Sequence, residues 1–152
     1  MSAYRNAEHY PDPTAGAAFA AISRKERSDR RKQIRRQNEQ RRRHPLVYIC
    51  SPYAGDVEAN VRNARRYSRF AVDRGAVPVT PHLLYPQFLN DADSTDRAIG
   101  INCGNALLEQ CGELWVFGNR ISPGMDAEIR RAKARSDIRI RRFTEECEEV
   151  TS

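Results

Sequence analysis

Leu46-Val47-Tyr48-Ile49-Cys50-Ser51-Pro52-Tyr53-Ala54-Gly55-Asp56 is the stretch on which the fold turns. Its first five residues are a continuous apolar run, which reads as a short buried strand, and the Ser-Pro-containing segment after it reads as a loop. Asp56 then opens a helix. Val57, Val61, Ala64, Ser68 and Ala71 recur at i, i+4, i+7, i+11 and i+14, with Arg62, Arg65, Arg66 and Arg69 mostly on other faces. That spacing predicts an amphipathic helix capped by Asp56 and stopped at Gly75.

The same alternation continues toward the C-terminus. Ala76 to Thr80 reads as a second short strand closed by Pro81-His82, and Leu83 to Asp93, which contains Pro86, reads as a loop with one helical turn at most. A helix is expected from Ser94 to Gln110, weakened by Gly100 and Gly104. Leu114-Trp115-Val116-Phe117-Gly118 is the clearest strand. A loop over Asn119 to Pro123 leads to a helix from Gly124 to Arg135, and Ile138 to Phe143 alternates like a strand with one wet face. Strands alternating with helices imply βαβ units. The expected fold is α/β, a three-layer, mostly parallel sheet of four to five strands of Rossmann or flavodoxin-like type.

Toward the N-terminus the composition changes at Pro45. The chain of 152 residues carries a formal charge of +6, but residues 1–44 hold 12 Lys and Arg against 5 Asp and Glu, whereas residues 45–152 hold 14 against 15. All the excess charge therefore belongs to the first third. Between Ser23 and His44 the only apolar residue is Ile34, so this stretch cannot bury a core of its own. From Pro13 to Arg43 its Ala-rich, then Arg/Lys/Gln/Glu-rich composition has good helix propensity, and a helix is expected to start near Thr14 and to stop at His44-Pro45. We read residues 1–44 as a basic arm, helical or partly disordered, 45–143 as the α/β domain, and 144–152 as an acidic, disordered tail. Arg24–Arg43 is either a solvated helix or a contact surface for nucleic-acid phosphates or an acidic partner.

No apolar run is long enough to span a membrane and no signal-peptide pattern opens the chain, so no membrane contact and a cytoplasmic location are expected. Cys50, Cys103, Cys111 and Cys147 have neither metal-ligand spacing nor the density of a disulfide scaffold, and read as reduced thiols, with Cys50 and Cys111 as packing residues. No metal and no cofactor is called for.

In open α/β sheets ligands bind beyond the carboxyl ends of the strands. That rule selects three loops here: Ser51 to Asp56, Thr80 to Tyr85, and Gly118 to Glu128. Neither G-x-G-x-x-G nor a Walker lysine is present. Ser51 and Gly55 suit a pocket built partly from backbone, and Gly124 suits close backbone approach. Asp56 fits a helix cap better than a ligand contact. His82 is a candidate to hydrogen-bond a ligand or to tie down its loop.

Taken together, Tyr48 to Asp56, Gly75-Ala76-Val77 running to His82, and Leu114 to Phe117 followed by Ser122-Pro123-Gly124-Met125-Asp126-Ala127-Glu128-Ile129 resemble the nucleoside 2-deoxyribosyltransferase-like superfamily, and within it the small bacterial and phage-borne branch. The resemblance covers about residues 46–143 and leaves out the arm. Its most specific piece is Ser122-x-Gly124-x-x-x-Glu128. It implies that Glu128 is the nucleophile on an anomeric carbon and that Tyr48 helps position it. It also implies that Ser51, Pro52, Tyr53, Gly55, Asp56, His82, Asn105, Ser122, Gly124 and Met125 contribute to substrate binding, and that the protein is a homo-oligomer acting on a nucleoside or nucleotide.

Three positions depart from the family pattern. Pro52 and Ala54 stand where members that handle nucleoside monophosphates have a serine and an arginine, and Asn105 stands where they have an aspartate. An amide cannot exchange a proton with a leaving base, so Asp96 or Asp126 would have to substitute. On the residues alone, Glu128 is either a catalytic carboxylate or a solvated first-turn helix glutamate, and Tyr48 is either its partner or a core aromatic. The expected function is an N-glycosidase or 2-deoxyribosyltransferase. The alternative is a non-catalytic module that binds a nucleotide-like metabolite.

Overall fold

Alternation along two central strands sets the layers. In a computed structural model that describes residues 13–151, strand β1 (Leu46–Cys50) sends Val47 and Ile49 to one face of the sheet and Tyr48 and Cys50 to the other. Strand β3 (Glu113–Phe117) runs parallel beside it, pairing Tyr48 with Leu114 and Ile49 with Trp115. Strands β2 (Val77–Val79) and β4 (Arg139–Phe143) complete a four-stranded, all-parallel sheet of order β2-β1-β3-β4. The strand count falls at the lower end of the sequence expectation.

Helices cover both faces, as a parallel sheet requires. Helix α2 (Val57–Asp73) lays Tyr67 and Ala71 on the Val47, Ile49, Trp115, Phe117 and Phe143 face. There the Tyr67 and Phe117 rings stack at 4.1 Å and Phe117 stacks on Phe143 at 5.1 Å. Burial of such rings contributes about 1.5–3 kcal/mol each. The Asp56 carboxylate accepts the Ala59 N–H at 3.0 Å, so Asp56 is the cap its sequence position suggested. Gly75 leaves the helix with φ of +77°, a conformation that favours glycine.

The opposite face is covered by α4 (Ser94–Leu108) and α5 (Pro123–Lys133), whose Leu108, Met125, Ile129 and Ala132 pack with Tyr48, Cys50, Leu114 and Val116. Cys50 and Cys111 are buried in this layer, and all four cysteines are free thiols. Between β2 and α4, residues expected to form a loop make a short helix α3 (Pro81–Leu84) and a 3-10 turn (Tyr85–Gln87). Pro81 begins α3 because its fixed φ and missing N–H suit the first helical position.

The tail is a correction. Its acidic composition suggested disorder, yet beyond Phe143 the chain folds back on β4. Glu149 bridges antiparallel to Phe143, the Val150 N–H donates to the Arg142 carbonyl at 2.9 Å, and Arg141 holds the Glu149 carboxylate through two 2.7 Å hydrogen bonds. Pairing with cations on β4 removes the self-repulsion that would keep the segment open.

The chain divides after Arg42 into two compact units. The first contains all but the last residue of helix α1 (Pro13–Arg43), a single helix of 31 residues. Ile22 and Ile34 on it are exposed, as are the cations from Arg24 to Arg36. Residues 1–12 of the expected arm and Ser152 of the expected tail lie outside the described residues. No helix among the described residues is long and apolar enough to cross a membrane.

Candidate functional site

The strand order reverses between β1 and β3, and the loops leaving their carboxyl ends diverge there to open a crevice. A cleft of about 490 Å³ occupies this end of the sheet, with Tyr48 and Glu128 among the residues that line it. Helix α5 supplies Glu128. Ser122 caps α5 by accepting the Met125 N–H at 3.3 Å, with Pro123 at the first helical position. From that start Glu128 comes in the second turn, on the side facing β1. The description of a solvated first-turn carboxylate fits Asp126 instead, which is paired with Arg130 on the same helix and does not line the cleft.

Tyr48 donates its phenolic hydrogen bond to Glu128 Oε1 at 2.8 Å. The other carboxylate oxygen, Oε2, is buried and has no hydrogen-bond partner among the described residues. Burial pushes the Glu128 carboxyl up from its usual range, and the hydrogen bond from Tyr48 opposes that rise. The Tyr48 hydroxyl is pushed up as well, first by burial and then by the neighbouring carboxylate, so it stays protonated and remains a donor. Tyr48 and Cys50 share one face of β1, and the Cys50 thiol donates to the Met125 carbonyl at 3.9 Å.

Gly104 on α4 gives the Tyr48 hydroxyl its space. A Cβ at this position would stand 3.2 Å from Tyr48 Oη, closer than nine in ten real contacts of that kind. The glycine that weakened the sequence signal for this helix is therefore a close-approach position.

On the opposite wall the His82 ring stacks on Tyr53, with centroids 5.1 Å apart and planes 16° apart. Burial lowers the His82 pKa, against a hydrogen bond to the Ser51 backbone that raises it. Asn60 of α2 fixes the first loop by donating to the Tyr53 and Ala54 carbonyls, both at 3.0 Å. Asn105, Ser122, Gly124 and Met125 also line the cleft.

Of the residues singled out from sequence, eight converge here: Tyr48, Tyr53, His82, Asn105, Ser122, Gly124, Met125 and Glu128. Four do not line the cleft. Asp56 caps α2, Pro52 and Gly55 sit elsewhere in the first loop, and Ser51 is buried with no partner for its hydroxyl among the described residues. The cleft also takes in Asp91, Asp96, Arg97 and Arg131. Asp96 accepts the Asn90 N–H at 2.9 Å, and Arg131 is paired with Glu109. Sequence had offered Asp96 only as one of two possible acids. Arg131 follows Glu128 by three residues, so helical spacing alone puts it on the same face. Among the described residues, no three His, Cys, Asp or Glu side chains converge as a metal site would require.

Residues 45–143 match the family described as "Domain of unknown function (DUF7768)". The chain belongs to that family. No curated protein sequence matches it. Among solved structures, this DUF7768 chain is similar to a 2-deoxyribosyltransferase from the psychrotolerant bacterium Bacillus psychrosaccharolyticus. The TM-score is 0.55 at 11% identity, over 65% of this chain and 72% of that one. It is also similar to a 2-deoxyribosyltransferase from Leishmania mexicana, with a TM-score of 0.46 at 13% identity, over 66% of this chain and 64% of that one. The DUF7768 domain therefore has a nucleoside deoxyribosyltransferase-like fold.

Proposed function

We propose that the protein cleaves the N-glycosidic bond of a nucleoside or nucleotide, as a hydrolase or a 2-deoxyribosyltransferase, with Glu128 as nucleophile and Tyr48 as its positioning donor. One observation carries this reading. A half-buried carboxylate in the cleft has one oxygen fixed by a tyrosine hydroxyl at 2.8 Å and the other buried without a partner. A pair that only stabilised the fold would have no reason to leave that second oxygen unsatisfied at a cleft wall.

In the proposed reaction the Glu128 carboxylate attacks the anomeric carbon as the bond from that carbon to the base nitrogen breaks. The base leaves with the electron pair and takes up a proton. The positive charge that develops on the sugar is stabilised by the carboxylate, and a glycosyl ester of Glu128 results. Water then attacks the anomeric carbon as its bond to the Glu128 oxygen breaks, which releases the sugar, or a second base attacks the same carbon to give a new nucleoside. Either way the attacking group loses a proton and Glu128 is regenerated. Two inversions leave the configuration retained.

Asn105 cannot donate the proton that the leaving base needs. Asp96 lines the same cleft, which supports giving it that exchange. The stacked Tyr53 and His82 rings offer an aromatic surface for the base.

The test is release of free base from a panel of nucleosides and nucleoside monophosphates. Release by the wild type that is lost in Glu128→Ala supports the reading, and no release, or equal release by the variant, overturns it. The amide at Asn105 favours a second reading, in which the cleft binds a nucleotide-like metabolite without turnover. Its signature is thermal stabilisation by a nucleoside with no product formed.

A further inference from the structure

We infer that helix α1 carries a sequence-independent binding surface for the phosphate backbone of duplex DNA. The inference does not depend on the chemistry proposed for the cleft. It rests on how the cations are distributed around a helix that is continuous from Pro13 to Arg43.

At about 100° per residue, Arg24, Arg31 and Arg35 fall in one row along the helix and Lys25, Lys32, Arg36 and Arg43 in a second, about 100° away. The two rows share the intervals i, i+7 and i+11. Among the described side chains, seven cations therefore occupy a sector of about 140° over a length of about 28 Å. All seven are exposed. The sector contains a single acid, Glu39, which lies 4.0 Å from Arg35. The other acids of this segment, Glu26 and Asp29, point outside the rows with Gln33 and Gln37. A helix that needed its charges only for solubility would have no cause to separate them in this way.

The chemistry of the sector selects its partner. Stable protein interfaces rest on buried apolar or aromatic anchors, and between Ser23 and His44 the only apolar residue is Ile34. The same lack of aromatic side chains removes stacking on single-stranded bases. Counterion release from a polyphosphate needs neither, since each neutralised phosphate adds affinity by itself. An α-helix about 10–12 Å across fits the major groove of B-DNA, where each row faces one phosphate wall. The deep, narrow major groove of an RNA duplex does not admit it.

The experiment uses the full chain and a fluorescent 20-base-pair DNA duplex of arbitrary sequence, with anisotropy read from 50 to 200 mM salt. Affinity is expected to fall about a thousandfold over that range. In Arg31→Gln/Arg35→Gln the slope of log affinity against log salt is expected to become shallower by about two. In Arg27→Gln/Arg30→Gln, which removes the same charge from outside the rows, the slope is expected to stay as in the wild type. Circular dichroism confirms that both variants keep their helix. Absence of duplex binding, equal losses in the two variants, or equal or tighter binding of an RNA duplex of the same sequence would overturn the proposal.

Discussion

Replacing Gly104 by alanine adds a methyl group where Tyr48 leaves no room for one. The new Cβ would stand 3.2 Å from Tyr48 Oη, and that oxygen is itself held 2.8 Å from Glu128 Oε1. Either the hydroxyl retreats and stretches its bond to the carboxylate, or α4 moves off the sheet. Alanine in a helix interior gains about 0.5–1 kcal/mol over glycine. Overpacking costs about 1–3 kcal/mol. The expected outcome is a variant between neutral and about 2 kcal/mol less stable than the wild type.

Gly100, one turn earlier on the same helix, is the control. Its added Cβ meets only Leu89 Cδ1, at an ordinary 3.6 Å. Gly100→Ala is therefore expected to stabilise by about 0.5–1 kcal/mol. Urea unfolding of the three proteins, with equal m-values, gives the comparison directly. Equal stabilisation by both substitutions would show that the Tyr48 hydroxyl is not pinned against α4, and the account of how Glu128 is positioned would fail with it.

Glu128→Gln keeps the acceptor for Tyr48 and removes a buried charge. Because the folded pKa of Glu128 is raised, its contribution to stability is complete below the unfolded carboxyl value and is lost as pH rises through the folded value. The stability advantage of the Gln variant should grow over that window and then level off in pH-dependent melting curves; a constant advantage would count against the burial assigned to this group. Tyr48→Phe removes a hydrogen bond that lowers the Glu128 pKa, so the acid limb of the rate profile should move to higher pH. An unshifted limb would mean the hydroxyl does not act on the carboxylate. Arg141 pairs with Glu113 and Glu149 and lies over the Trp115 ring at 5.0 Å. Arg141→Ala is expected to cost about 1–2 kcal/mol by denaturant unfolding and to speed amide exchange in the tail. Unchanged exchange at Val150 would show that the tail does not depend on this pairing.

Local patterns carried the parts of the fold that the sequence made legible. The Val47 to Cys50 run, the Asp56 cap and the Leu114 to Phe117 strand each depend on a few adjacent residues, and each stands where its pattern put it, whereas α5 begins at Pro123, one residue before the expected Gly124. Long-range approach decided the rest. Gly104 reads in sequence as a weak point of a helix and is in the structure the space for a tyrosine from another element. Asp96 and Arg131 meet in the cleft only because α4 and α5 cover the same face of the sheet. The acidic tail looked disordered because its partner charges, on β4 and at Arg66, are distant in sequence or belong to another element. Loop residues Ser51, Pro52 and Gly55 were plausible by position alone, but it is Tyr53 and Ala54, whose carbonyls Asn60 holds, that enter the lining.

Glu128 bears the weight of the functional account, and its role is open to direct measurement. Wild type and Glu128→Gln are incubated with a nucleoside panel and free base is quantified, with the folding of both proteins verified by their melting curves. The account predicts base release by the wild type and a loss of at least about a thousandfold in the variant, the scale on which removal of a catalytic group acts. Base release that persists undiminished in Glu128→Gln would contradict it, as would a wild type that binds nucleosides and releases nothing.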